Sequence, residues 1–142
     1  MTTDIEALRD IARERHVHFD VEPEVDIRGT ERVKVGFRVR LWAVHRKGAR
    51  ALPGCPKCLA LVEELRAIAD AIVPPMGRAT AVEVEPFWPG LYDSPVVPSA
   101  DEVALSLRLF HRDGLDQPTD GCEERCLKEI RGRLRSLGIL ER

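Results

Sequence analysis

Two short cysteine motifs, each followed by the apolar spacing of a helix, constrain the architecture of this chain more than any other feature. They occupy residues 53–58 (Pro-Gly-Cys-Pro-Lys-Cys) and 121–126 (Gly-Cys-Glu-Glu-Arg-Cys). Two further matches, of the segments beginning at Val21 and His45 with those beginning at Val84 and His111, occur in the same order, and all separations lie between 63 and 68 residues. This order predicts a duplicated unit, residues 15–75 and 78–140, within a single domain spanning 1–142.

The hydrophobic periodicity assigns one set of elements to both copies. Apolar residues alternate over 17–22, 33–46, 79–85 and 102–112, which predicts four strands, and they recur at helical spacing over 56–73 and 120–137. A capping box at Thr3 and Glu6 predicts a short N-terminal helix to Arg15, whereas Pro23 is expected to end the first strand before a polar loop over 24–31. We predict an α+β fold: a four-stranded, mainly antiparallel sheet with the two repeat helices on one face.

This topology separates the two cysteine pairs. A crossover from the second strand through the first repeat helix to the third strand makes the two repeat helices antiparallel, so their N-termini are expected at opposite ends of the domain. Each pair then has its own histidine, because His45 and His111 continue the inward-facing rows of the strands that precede the motifs. One site built from all four cysteines is therefore not expected.

Metal binding is the first of three interpretations that the motifs allow. Two thiolates and one imidazole suit Zn²⁺, and a fourth position is left for water, a carboxylate or a second chain. His16 and His18 are near in sequence, but the strand alternation points His18 outward. The predicted ligand sets are His45, Cys55 and Cys58 in the first copy, and His111, Cys122 and Cys126 in the second.

Thiol chemistry and simple packing are the other two interpretations. The segment Cys55-Pro56-Lys57-Cys58 resembles the Cys-Pro-x-Cys active site of glutaredoxin-like proteins over these four residues and the helix that follows. That resemblance implies Cys55 as nucleophile and Cys58 as resolving thiol, although the chain lacks the family's closely preceding strand and downstream Thr-Pro loop. Alternatively, the cysteines are small buried hydrophobic residues. No family resemblance extends over the whole chain.

Composition favours a soluble, cytoplasmic binding domain over an enzyme. The chain has 142 residues and a net charge of −2, and no apolar run is long enough for a membrane helix. Neither a phosphate-binding loop nor a nucleophile–base pair with an orienting group is visible. Nucleic acid is not an expected partner, because only Trp42 accompanies the basic residues of its strand.

The partner is expected to be a small molecule or a protein. The long loop over 86–100 carries Phe87, Trp88 and Tyr92, which we predict either to line a ligand site or to pack as a lid on the core. A homodimer is a second expectation, with its contact either along the sheet edges or on the outer face of the sheet. Its candidate contact residues are Trp42, Val44 and Phe110.

Overall fold

The computed structural model describes residues 5–72, 79–89, 100–111 and 122–142, and it shows an α+β fold. Within these residues, three helices and five strands follow in the order α1 (Ile5–Glu14), β1 (His18–Arg28), β2 (Glu31–Val44), α2 (Pro56–Ile72), β3 (Ala79–Phe87), β4 (Glu102–His111), α3 (Cys122–Ser136) and β5 (Leu140–Glu141). The predicted helix over 56–73 is present as α2, and the predicted strand over 102–112 is present as β4.

The strands form one sheet in the order β3-β4-β2-β1-β5. Strands β1 to β4 pair with one another in antiparallel fashion, whereas β5 runs parallel to β1. Because β4 lies between them, β2 and β3 run in the same direction, as the predicted crossover requires. This order does not test whether the chain arose by duplication, so the repeat stays a prediction.

The prediction of four strands was wrong, because the C-terminus adds a fifth strand to the described sheet. Gly138, with a φ of 78°, reverses the chain after α3, and Ile139 then enters the core. This turn places Leu140 and Glu141 beside the start of β1. A two-residue strand has no periodicity that a sequence pattern can detect.

The predicted end of the first strand at Pro23 was also wrong. β1 continues through Pro23 to Arg28 and joins β2 through a two-residue turn at Gly29 and Thr30. Gly29 has a φ of 65°, as a hairpin turn of type II′ requires at its first position. Since β5 pairs only with residues 18 and 19, Pro23 lies on an open sheet edge, where its missing N–H costs no ladder hydrogen bond.

All three helices pack on the same face of the sheet. The odd-numbered residues of β2 and β4 point toward them and form one core cluster with Leu8 and Ala12 of α1 and Ile130 and Leu134 of α3. Helix α2 supplies seven buried residues to this cluster, whereas Leu59, which the helical spacing also assigned to its apolar stripe, is exposed. Burial of a Leu or Ile side chain contributes about 1.5–3 kcal/mol, so this face provides most of the driving force for folding.

The other face of the sheet carries a charged cluster centred on Glu24. This carboxylate is only 6% exposed, and the guanidinium groups of Arg38 and Arg108 both reach it. Nε of Arg38 donates to Glu24 at 3.1 Å, and Nε of Arg108 donates at 2.9 Å. We name Glu24, Arg38 and Arg108 the outer-face cluster. It joins three strands of the sheet, because the three residues lie on β1, β2 and β4.

Trp42 lies on the same outer face but is covered by its own chain. Its indole Nε1 donates to Asp20 at 2.7 Å, the Phe87 ring meets it edge-on at 6.0 Å, and the Arg142 guanidinium lies 4.4 Å from its ring centroid. At 7% exposure, Trp42 cannot provide the dimer contact that the sequence suggested. Val44 is half-buried, the side chain of Phe110 lies outside the described part, and the dimer itself stays a prediction.

Across the described ranges, none of the three helices combines the length and the apolar character needed to span a membrane.

Candidate metal centre

The loop between β2 and α2 brings His45 and the first cysteine motif together. The backbone N–H of His45 donates to the carbonyl of Asp101, and that of Ala51 donates to the carbonyl of Ala100. These bonds hold both sides of the loop against the segment that leads into β4. Gly48, with a φ of 80°, turns the chain between them, and its N–H donates to the Asp101 carboxylate at 3.2 Å. The loop is therefore fixed on both sides of its turn.

Cys55 caps α2, and Cys58 lies in the first turn of that helix. The carbonyl of Cys55 accepts the first hydrogen bond of the helix, from the N–H of Leu59, at 3.0 Å. Pro56 follows at the first helical position, where its missing N–H leaves no donor unsatisfied. The spacing of three residues places both thiols on the same side of the helix N-terminus. Cys55 is half-buried and Cys58 is fully buried, and neither forms a disulfide.

His45, Cys55 and Cys58 form a group whose ligand atoms all lie within 4.8 Å of one another. Sγ of Cys55 lies 3.9 Å from Nε2 of His45. Tetrahedral zinc with bonds of about 2.3 Å to sulfur and about 2.0–2.1 Å to nitrogen would separate such a pair by roughly 3.6 Å. A shift of a few tenths of an ångström would therefore bring this pair to bonding geometry. The group can hold a metal ion such as Zn²⁺.

The pKa values of the two thiols are shifted in opposite directions. The backbone N–H of Cys58 lowers the pKa of Cys55 by donating to its sulfur; the Cys58 thiol and the amide and charge of Lys57 lower it further, against a partial desolvation. Burial raises the pKa of Cys58, and the neighbouring Cys55 thiolate raises it further. Cys55 is therefore the thiol that ionises first, as expected for a sulfur at a helix N-terminus.

Among the residues that the structure describes, the first of the two predicted ligand sets comes together. His45 follows the end of β2, whereas His111 ends β4 about ten residues away along the β2–β4 ladder, a distance of roughly 30 Å at 3.3 Å per residue. The two histidines therefore lie at opposite ends of the sheet, as predicted. The side chains of His111, Cys122 and Cys126 lie outside the described part, so the second set stays a prediction.

The other predicted site residues do not join the described group. His16 and His18 line a cavity between α1 and the end of α3, and the metal-ligand group found among the described residues does not include them. Phe87 lies on the outer face against Trp42, while Trp88 packs against the core, so these two aromatic residues do not face one pocket. Tyr92 lies outside the described residues. A ligand site in this loop stays a prediction.

A basic pocket beside the metal-ligand group was missed by the sequence analysis. Its volume is ≈ 410 Å³, and its lining residues are Arg15, His45, Arg46, Lys57 and Ala60. They come from the end of α1, the loop after β2 and the start of α2. Arg46, which follows His45, and Lys57, which lies within the cysteine motif, were usable signals. Arg15 comes close only through the fold: its carbonyl accepts from the N–H of Val44.

Comparison with known proteins gives no family to which the chain can be assigned: no family model, curated protein or solved structure matches it.

Proposed function

We propose that His45, Cys55 and Cys58 bind a zinc ion and that this chain functions as a metal-dependent binding domain. The observation that carries the proposal is the clustering of one imidazole and two thiols within 4.8 Å. Thiolate and imidazole together favour Zn²⁺ over Mg²⁺ or Ca²⁺, which prefer oxygen ligands. Three protein ligands leave one position open for a small molecule or a side chain of a protein partner.

Elemental analysis of protein purified without added metal or chelator tests this proposal. We expect one equivalent of zinc in a Cys122→Ser/Cys126→Ser double variant, in which only the described ligand set remains. The thiols of Cys55 and Cys58 should react with a thiol reagent only after a chelator removes the metal. A metal-free double variant that also fails to bind added Zn²⁺ in a chelator competition would refute the proposal.

Single ligand variants show which side chains bind the metal. Cys55→Ser, Cys58→Ser and His45→Ala should each weaken Zn²⁺ binding by more than the 10–100-fold that loss of an outer-shell partner costs, since each removes a direct ligand. His18→Ala is the matched control, because His18 bonds to the carbonyl of His16 and lies outside the ligand group. Equal affinities for His45→Ala and His18→Ala would remove His45 from the site.

Thiol–disulfide exchange is a second candidate, favoured by the lowered pKa of Cys55 beside the buried Cys58. The Cys55 thiolate would attack a substrate disulfide, forming a mixed disulfide and releasing one thiolate. Cys58 would then displace the second substrate thiol and form a Cys55–Cys58 disulfide. Two electrons pass to the substrate, and a dithiol reductant restores the pair.

Insulin-disulfide reduction separates the two candidates. In the presence of dithiothreitol, the metal-free protein should reduce insulin and the Cys55→Ser variant should not, if exchange is the function. Cys58→Ser should instead accumulate the mixed disulfide, because it cannot resolve it. No reduction above the dithiothreitol background by the parent protein would eliminate this candidate.

A further inference from the structure

The basic pocket adjoins the proposed metal site through His45. His45 is one of the lining residues of the pocket, and its Nε2 is the atom that approaches Cys55. Lys57, which also lines the pocket, lies between the two cysteines in the chain. His45 therefore belongs both to the pocket lining and to the ligand group, so the two sites adjoin one another.

Positive charge dominates this pocket. Arg15 is paired with Glu64 at 3.3 Å, but within the described ranges neither Arg46 nor Lys57 forms an ion pair. No acidic side chain is among the lining residues. The N-terminus of the 17-residue helix α2 adds the positive end of its dipole. Two thiolates would neutralise Zn²⁺, so the excess charge of the pocket remains when metal is bound.

We propose that the pocket binds an oxyanion, a phosphate or carboxylate group, which occupies the open coordination position of the metal. This inference rests on the proposed zinc site. An oxyanion can bind the metal and the pocket together. Its oxygen atoms are metal ligands, and its negative charge is attracted by Arg46 and Lys57. A volume of ≈ 410 Å³ accommodates a small molecule that carries such a group.

Cobalt substitution makes the coordination position visible. The Cys122→Ser/Cys126→Ser protein is loaded with one equivalent of Co²⁺, desalted, and titrated with inorganic phosphate, with acetate, and with chloride at matched ionic strength. We expect phosphate and acetate to change the visible spectrum of the bound Co²⁺ saturably, with phosphate binding more tightly because of its greater charge. Chloride should reproduce neither titration.

Arg46→Gln tests the pocket without altering a ligand. We expect it to weaken phosphate binding about two- to fivefold, the size of a single exposed charge interaction, with unchanged Co²⁺ affinity. Arg133→Gln is the matched control, because Arg133 is exposed on α3 and does not line the pocket. Lys57 is left intact because its charge and amide also act on Cys55.

The outcomes separate this inference from the proposed function. A bound Co²⁺ whose spectrum does not respond to phosphate or acetate would overturn the oxyanion site and leave the metal site standing. Equal losses of phosphate affinity in Arg46→Gln and Arg133→Gln would place binding outside the pocket and also overturn it. Failure to bind Co²⁺ or Zn²⁺ at all would overturn both proposals.

Discussion

Two polar clusters in this molecule differ in how completely strong hydrogen bonds pair their donors and acceptors. In the outer-face cluster, Glu24 is buried and accepts hydrogen bonds from both Arg38 and Arg108. At the end of β2, His45, Cys55 and Cys58 are joined only through sulfur: Nε2 of His45 lies 3.9 Å from Sγ of Cys55, which also accepts from the backbone N–H of Cys58. A buried carboxylate bonded to two guanidinium groups stabilises a fold, whereas thiols and an imidazole held by sulfur hydrogen bonds retain ligand atoms that an ion can use.

Glu24→Ala should produce the largest effect on stability, because it removes the buried carboxylate that two guanidinium groups share. Both arginine side chains are more than a third exposed, so solvent screens part of the loss. We expect a decrease of about 1–3 kcal/mol in the free energy of unfolding, measured by urea denaturation of the metal-free, reduced protein.

Glu22→Ala is the matched control for this prediction. Glu22 is also on β1 and pairs with Arg40, but its side chain is 49% exposed. Its loss should cost less than about 0.5 kcal/mol. Zn²⁺ affinity should be the same in both variants. A folded Glu24→Ala protein that no longer binds zinc would show that the two clusters are coupled and would break the distinction between them.

A second prediction concerns the pH dependence of metal affinity. Because burial raises the pKa of Cys58, this thiol must lose its proton to bind zinc at neutral and mildly alkaline pH. Affinity should therefore rise at least about tenfold per pH unit between pH 7.5 and 8.5, and more steeply where Cys55 is still protonated. Because the pKa of Cys55 is lowered, this thiol is fully ionised at a lower pH than Cys58, and above that pH it no longer adds to the slope of affinity against pH.

Chelator competition at three pH values measures this slope. Glu24→Ala should show the same slope as the parent protein, since the outer-face cluster contributes no metal ligand. Cys58→Ser should bind zinc weakly and should lose the tenfold dependence. A parent affinity that does not change with pH would mean that neither thiol releases a proton and that the metal binds elsewhere.

The elements that position the candidate site could be predicted from periodicity alone. α2 has an apolar stripe bounded by prolines at 56 and 74, and β2 alternates over its length, so the inward direction of His45 followed by counting from Leu41. The cysteine spacing then placed both thiols at one helix N-terminus. These features depend on residues close in sequence, where side-chain direction follows directly from secondary structure.

The outer-face cluster and the basic pocket depend on contacts that no local pattern contains. Glu24 was assigned to a loop because Pro23 usually ends a strand, yet an open sheet edge tolerates proline. Its partner Arg108 is 84 residues away in the chain. The approach of Arg15 to His45 likewise depends on how α1 packs beside β2. Strand order and helix placement decide these contacts, and they are set by the fold as a whole.

Apart from the Glu22→Ala control, the smallest predicted effect on stability is that of Arg142→Ala, and it tests how far the ion-paired groups of the outer face extend. The guanidinium lies over the Trp42 ring at 4.4 Å and donates to Glu102 at 2.9 Å, but the side chain is 36% exposed. We expect a loss of about 0.5–1 kcal/mol in unfolding free energy and a change in indole fluorescence, recorded in a Trp88→Phe background so that Trp42 alone reports.

Arg142→Lys distinguishes stacking from charge in this prediction, because lysine keeps the charge but lacks the planar group that stacks on the indole. We expect it to recover part of the stability but not the fluorescence of the parent. The backbone N–H of Arg142 donates to the carbonyl of Phe19 in both variants, so β5 should remain paired with β1. A loss above about 2 kcal/mol in the unfolding free energy of Arg142→Ala would mean that β5 had detached from β1. The outer face would then depend on its last residue as strongly as on Glu24, contrary to the order of effects that burial predicts.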